Sequence, residues 1–287
     1  MDQRFIDLYD EFTHASLDRR AFLERLATIA GGMGAALAIL PLLQSNKAAA
    51  AQIEPTNVRL SQETITYPGA TGEMRGWLGW PKDAKGPVPG VVVIHENRGL
   101  TPHILDVARR TMLAGFAALA PDFLSPFGGT PDNEDAAREQ IGKLDADQTL
   151  ANAIASVKAL RERAETTGRI GAVGFCWGGG MVGRLATADP TLNAAVVFYG
   201  RTPELEKVPE IKASLLLHYA GMDERINTNV PALKEALDKA GVKYTLHMYE
   251  GKQHAFHNDA SAARYDAEAA KLAWDRTIEF FRKTLGG

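Results

Sequence analysis

Residues 174–180 read Gly-Phe-Cys-Trp-Gly-Gly-Gly, and Cys176 is the single cysteine among 287 residues. One thiol makes no internal disulfide and no thiolate-rich zinc site. It is either a small buried hydrophobe or a reactive group. The pattern G-x-Cys-x-G favours reactivity, because a nucleophile at the apex of a tight strand-to-helix turn needs glycine two residues before and two after it. Larger side chains there would strike the neighbouring strand and helix. The apex also lies at a helix N-terminus, where free amides and the helix dipole favour a thiolate. The competing interpretation is a structural cysteine beside a glycine-rich packing contact.

A nucleophile of this kind needs a base and an acid that orients the base. Downstream of Cys176, Asp223 lies in Gly-Met-Asp-Glu-Arg after the apolar stretch Ser-Leu-Leu-Leu-His-Tyr-Ala, and His254 lies in Glu-Gly-Lys-Gln-His-Ala-Phe-His. The order nucleophile, acid, histidine is that of one known triad arrangement. Both residues fall just past the carboxyl end of an expected strand, on the rim where open α/β sheets bind ligands. His257, three residues after His254, is the alternative base, and Glu224 the alternative acid. His218 and His247 fall inside expected strands and are expected in the core. His14 is expected to be solvated.

The elements that must position these residues follow from periodicity. Residues 58–66 and 74–80 alternate as strands, joined by turn residues Pro68, Gly69 and Gly72. Residues 87–95, Pro-Val-Pro-Gly-Val-Val-Val-Ile-His, form a continuous apolar run that suits a strand covered on both faces. Further strands are expected at 116–120, 169–175, 194–199, 213–219 and 242–249. Helices are expected at 104–114, within 133–166, and at 181–188, 230–240 and 262–285. Strand and helix alternate without a long insertion, so residues 52–287 are expected to form one doubly wound, mostly parallel α/β domain with helices on both faces. The composition, 45% apolar and 23% charged with a net charge of −3, is that of a globular protein with no polyanion partner such as nucleic acid.

Residues 1–51 differ from the rest. Arg19-Arg20 followed by Ala21-Phe22-Leu23 resembles a twin-arginine export signal, with a largely uncharged run from Leu26 to Asn46 and small residues Ala48–Ala51 before Gln52. Export would make the mature protein periplasmic or secreted. Asp2, Asp7, Asp10, Glu11 and Asp18 precede or abut the pair, where a basic lead is usual, and Glu24 follows it. The alternative is an amphipathic helix that packs on the body or a second subunit of a cytoplasmic protein. Gly31, Gly32, Gly34 and Pro41 argue against a stable membrane span.

Together Val-Val-Val-Ile-His-Glu-Asn-Arg-Gly, Ala-Pro-Asp-Phe-Leu, the cysteine elbow, Gly-Met-Asp-Glu-Arg and Gly-Lys-Gln-His-Ala-Phe-His give the chain a family likeness. Over residues 57–286 it resembles the dienelactone hydrolases, or carboxymethylenebutenolidases, of the α/β-hydrolase superfamily. The resemblance implies an α/β-hydrolase fold without a large lid domain and cleavage of a small-molecule ester or lactone with no metal or organic cofactor. It implies Cys176 as nucleophile, Asp223 as acid and His254 as base. Glu96 would pair with the resting cysteine and be displaced by substrate; a capping or surface carboxylate is the alternative. Backbone amides of Asn97 and Trp177 would form the oxyanion hole. In the family an arginine shortly after the histidine helps bind substrate carboxylate, whereas Asn258 stands here. Arg98 and Arg201 are the substitutes expected near the rim, with Tyr199 and Phe256 as further substrate-binding candidates. A general carboxylesterase, a thiol-based redox sensor on the same fold, and a binding module without catalysis are the rival functions.

Overall fold

The structure, a computed structural model, describes residues 1–14, 17–44 and 52–286. Its centre is an eight-stranded sheet. The strands are β1 (Leu60–Gly69), β2 (Gly72–Pro81), β3 (Val88–Ile94), β4 (Ala117–Asp122), β5 (Thr166–Phe175), β6 (Ala194–Phe198), β7 (Ser214–Ala220) and β8 (Tyr244–Tyr249). Their order is β1-β2-β4-β3-β5-β6-β7-β8. The pairs β1/β2 and β2/β4 are antiparallel and all others are parallel. The parallel strands β3–β7 are apolar and almost wholly buried, because helices cover both faces.

Alternation along β3 shows how one strand feeds two cores. Val92 and Ile94 join the face covered by α6 (Ala146–Arg161), α7 (Trp177–Ala188) and α9 (Val230–Ala240). Val91 and Val93 join the opposite face, under α4 (Pro102–Leu113) and α10 (Ala267–Phe281). The expected helical stretch at 133–166 divides into α5 (Glu134–Gly142) and α6. Asp145 makes the break by capping α6, its carboxylate accepting from the amides of Asp147 and Gln148. The helix expected from residue 181 begins at Trp177, since the glycines are themselves helical. The closing helix starts at Ala267 rather than 262, where Asp266 accepts from the Ala269 amide. The short helix α8 (Glu224–Asn227) follows β7.

Residues before the sheet form α1 (Gln3–His14), α2 (Arg19–Ala30) and α3 (Met33–Leu43). Ile6, Leu8, Tyr9, Phe12, Phe22, Leu26, Ala36, Leu40 and Leu43 make a third apolar cluster, against which Ala263 of the body packs. Phe12 stacks on Phe22 at 4.4 Å between ring centroids, and the Arg138 guanidinium lies 4.0 Å over Phe12. Among the described residues no single helix is long and apolar enough to cross a membrane, and α2 and α3 are bent 110° to each other. The small residues Ala48–Ala51 of the expected cleavage site lie outside the described residues.

Candidate active site

The β5–α7 turn carries Cys176 at φ 56° and ψ −115°, a strained conformation for a residue with a side chain. The strain is held by close packing. A Cβ on Gly174 would sit 2.1 Å from the Gly178 carbonyl oxygen, and one on Gly178 would sit 2.4 Å from that of His95. The Cys176 amide donates to the Phe198 carbonyl at 3.0 Å, which ties the turn to β6. Cys176, Tyr199 and Ala255 are the three non-glycine residues with positive φ among the described residues, and all lie at this rim. Cys176 is 7% exposed.

His254 follows β8, and its Nδ1–H donates to Asp223 Oδ2 at 2.5 Å. The other Asp223 oxygen accepts from the Ile226 amide at the start of α8, at 3.3 Å. The carboxylate is therefore fixed at both ends. His254 Nε2 is buried and has no hydrogen-bond partner. One side-chain donor atom each of His14, Cys176 and His254 lies within 4.8 Å of the other two. His14 Nε2 is 3.1 Å from the sulfur. A tetrahedral zinc would hold sulfur and nitrogen about 3.5 Å apart, so the short contact is a hydrogen bond.

The structure thus brings Cys176, Asp223 and His254 together. His257 lies elsewhere: it stacks on Phe175 at 5.1 Å, and burial, with His103 adding to it, pushes its pKa well below the usual value. His218 sits in the sheet, donating or accepting between Thr277 and Tyr249. Trp177 is the first residue of α7, and its indole stacks on His95 at 5.3 Å. Burial lowers the pKa of His95 from its usual value. Its Nδ1–H donates to the Glu96 carbonyl at 2.6 Å, and Nε2 accepts from the Phe123 amide at 3.2 Å. That pair of bonds shapes the loop carrying Asn97, whose side-chain amide donates to the Thr13 carbonyl at 2.8 Å.

Several expectations are corrected. His14 is not solvated, because α1 docks on the rim and its imidazole meets the thiol. The Glu96 carboxylate accepts from Asn258 Nδ2 at 2.5 Å, and the hydrogen-bond partner of the sulfur is His14. Asn258, noted as a departure, holds that carboxylate in place. Arg98 donates to Glu134 at 2.8 Å and to the Tyr9 hydroxyl at 2.7 Å, so it joins α1 to the rim rather than offering itself to substrate. Phe256 is fully buried between Tyr199 and Tyr249 and is a core residue. Arg201 and Tyr199 do line the cavity above the sulfur, with His14, Cys176, Trp177 and His254. That cavity measures about 1050 Å³. The Tyr199 hydroxyl is buried without a partner, and burial raises its pKa. The one sequence signal for His14 is its spacing from Asp10, four residues apart on a helix.

These features fit known proteins. Residues 74–285 match the family model described as Dienelactone hydrolase family, and residues 1–32 match one described as YqhI-like. A protein of Escherichia coli strain K12 named as a hydrolase fragment is 51% identical over 112 residues, 38% of this chain and 96% of that one. A protein of Saccharolobus solfataricus named as a carboxymethylenebutenolidase is 31% identical over 258 residues, 77% of this chain and 98% of its own. The crystal structure named as a dienelactone hydrolase from Klebsiella pneumoniae superposes with a TM-score of 0.71 at 28% identity, covering 78% of this chain and 99% of that one.

Proposed function

The chain belongs to the dienelactone hydrolase family and is a carboxylic ester hydrolase, and on that premise we propose that Cys176, His254 and Asp223 cleave a small ester or lactone through a thiol ester. The observation that carries this reading is the buried, unpartnered Nε2 of His254, backed by Asp223, beside a thiol on a strained elbow.

In the proposed cycle the Cys176 proton rests on His254 Nε2. The thiolate attacks the carbonyl carbon, and a carbon–sulfur bond forms. The tetrahedral oxyanion is held by the amides of Asn97 and Trp177; each such donor is worth about 10²–10³ in rate. On collapse the carbon–oxygen bond breaks, and His254 gives its proton to the leaving alkoxide. Neutral His254 then takes a proton from water, the hydroxide attacks the thiol ester, and the sulfur leaves as thiolate. In a lactone, acid and alcohol leave as one product. A thiolate is itself a good leaving group, so reactive esters and strained enol-lactones suit it better than amides.

The rival readings separate in one experiment. Lactones, aryl esters and dienelactones are assayed with wild type and Cys176→Ala. The proposal expects turnover by wild type, fastest on enol-lactones, and near-complete loss in the variant. Equal turnover of acyclic aryl esters would favour a general carboxylesterase. Hydrolysis that survives in Cys176→Ala would sink the cysteine mechanism, and no turnover at all would favour a redox or binding role.

A further inference from the structure

The sulfur of Cys176 has a second imidazole beside it that the cycle above does not use. His14, the last residue of α1, places Nε2 3.1 Å from Sγ, and its ring meets that of His254 edge-on at 4.5 Å between centroids. Its Nδ1 hydrogen-bonds the Asp10 main-chain carbonyl and the Thr13 hydroxyl, each at 3.0 Å, and lies 3.1 Å from Asp10 Oδ1 as an ion-pair contact; its side chain is 10% exposed. The sulfur therefore sits between two histidines, each with a carboxylate behind it: Asp223 and His254 from the body, Asp10 and His14 from α1. We infer that His14, backed by Asp10, is a further catalytic residue, a second imidazolium that holds Cys176 as the thiolate, so that residues 1–14 complete the active site. The inference rests on the cysteine-nucleophile reading.

The charges around the ring decide its state. Asp10 faces it from α1, Cys176 from α7, and His254 and Arg264 from the segment after β8. Asp223 lies behind His254, Arg225 of α8 lies against Asp10, Glu96 and Arg98 share a small cavity with the ring, and Asp135, Arg138 and Arg225 line the larger cavity with it. Burial and the His254 charge disfavour a charged His14. The sulfur and Asp10 outweigh them, and its pKa is raised from the ordinary value. Asp10 resists desolvation in turn, and His254, His14 and Arg264 hold its carboxyl well below the usual range. Arg225 lies 3.6 Å and Arg264 3.5 Å from its oxygens.

The helix that brings this pair is fastened on several sides. Thr13 accepts from Asn97, Tyr9 from Arg98, and Gln3 from Gln253. The Phe12 carbonyl accepts from Arg138. Asn258 Nδ2 donates to Glu96 Oε2, and the hydrogen-bond partner of the sulfur is His14 on α1. The division of labour balances. His14 keeps its proton throughout the cycle and serves as a fixed counter-charge. His254 alone gives a proton to the alkoxide and takes one from water.

The test is alkylation of Cys176 by iodoacetamide from pH 5 to 9, in wild type, His14→Gln and Asp10→Asn. Glutamine keeps an N–H donor near the Nε2 position without the charge. Loss of an adjacent positive charge raises a thiol pKa by about one unit or more. The alkylation midpoint should therefore move up in His14→Gln, with a roughly ten-fold slower rate near pH 6 and convergence near pH 9. Asp10→Asn should shift it the same way by less. A purely structural role would loosen α1 and quicken alkylation at every pH with the midpoint unmoved. That result overturns the inference. A second measurement needs no substitution: alkylation of Cys176 in wild type removes the thiolate and must lower the His14 pKa followed by NMR. An unchanged His14 pKa also overturns it. Neither readout requires turnover, so failure here is distinct from failure of the hydrolase mechanism, which Cys176→Ala reports.

Discussion

Replacing Gly178 by alanine tests whether the elbow is set by steric contact. An added Cβ would lie 2.4 Å from the His95 carbonyl oxygen and 2.5 Å from that of Ile94, where real Cβ contacts essentially never fall below 3.0 Å. Both neighbours are backbone at the end of β3, so no side chain can swing aside. The start of α7 must retreat by roughly 0.6 Å or more, a strain that costs about 1–3 kcal/mol. At about 2–4 °C per kcal/mol for a domain of this size, the melting temperature should fall by roughly 2–12 °C. The same retreat moves the Trp177 amide away from Asn97, the two proposed oxyanion donors. A misplacement of that order costs up to about 10²-fold in rate. Thermal melts and turnover of a chromogenic short-chain ester read both effects. Gly142→Ala is the control, because its Cβ would meet nothing within 4 Å. If Gly178→Ala melts and turns over like Gly142→Ala, the close-approach argument is wrong. If it melts low with kcat within about three-fold of wild type, the spacing of the two amides does not govern the rate.

Two further expectations concern the site and the N-terminus. Alanine at Cys176, His254 or Asp223 should each remove most hydrolysis, on the order of 10³-fold or more, and the double variants should lose little beyond the singles because the three act as a unit; additive losses would refute a shared mechanism. Residues 1–51 have two separable fates. As a twin-arginine leader they would be removed near Gln52, and the mature protein would lack His14; as part of the site they stay. Mass spectrometry of protein from the native host decides, since a mature chain beginning near Gln52 would exclude His14 from catalysis.

Much of the body was legible because its determinants are local. Gly174 and Gly178 flank Cys176 at fixed spacing, and the turn leaves no room for anything larger. The run Val91–Ile94 is apolar at every position because both sheet faces are covered, and that pattern is visible without coordinates. Asp223 and His254 each follow an apolar strand, and parallel strands deliver their carboxyl ends to one rim. Helix limits were less legible. Asp145 and Asp266 end or start helices through capping bonds, while the surrounding residues suit a helix equally well.

The sequence by itself determined the sheet order's raw material, the elbow and the succession of nucleophile, acid and histidine, since steric fit and residue periodicity act over a few neighbours. Only the tertiary structure decided which polar groups meet: that Asn258 holds Glu96, that Arg98 serves α1, and that His14 reaches a sulfur 162 residues away. The physical reason is that such pairings depend on how separate elements dock. Residues 3–14 carry an amphipathic helix whose partner no local pattern names, and the same apolar residues serve an export leader or a docked helix until a surface is there to receive them.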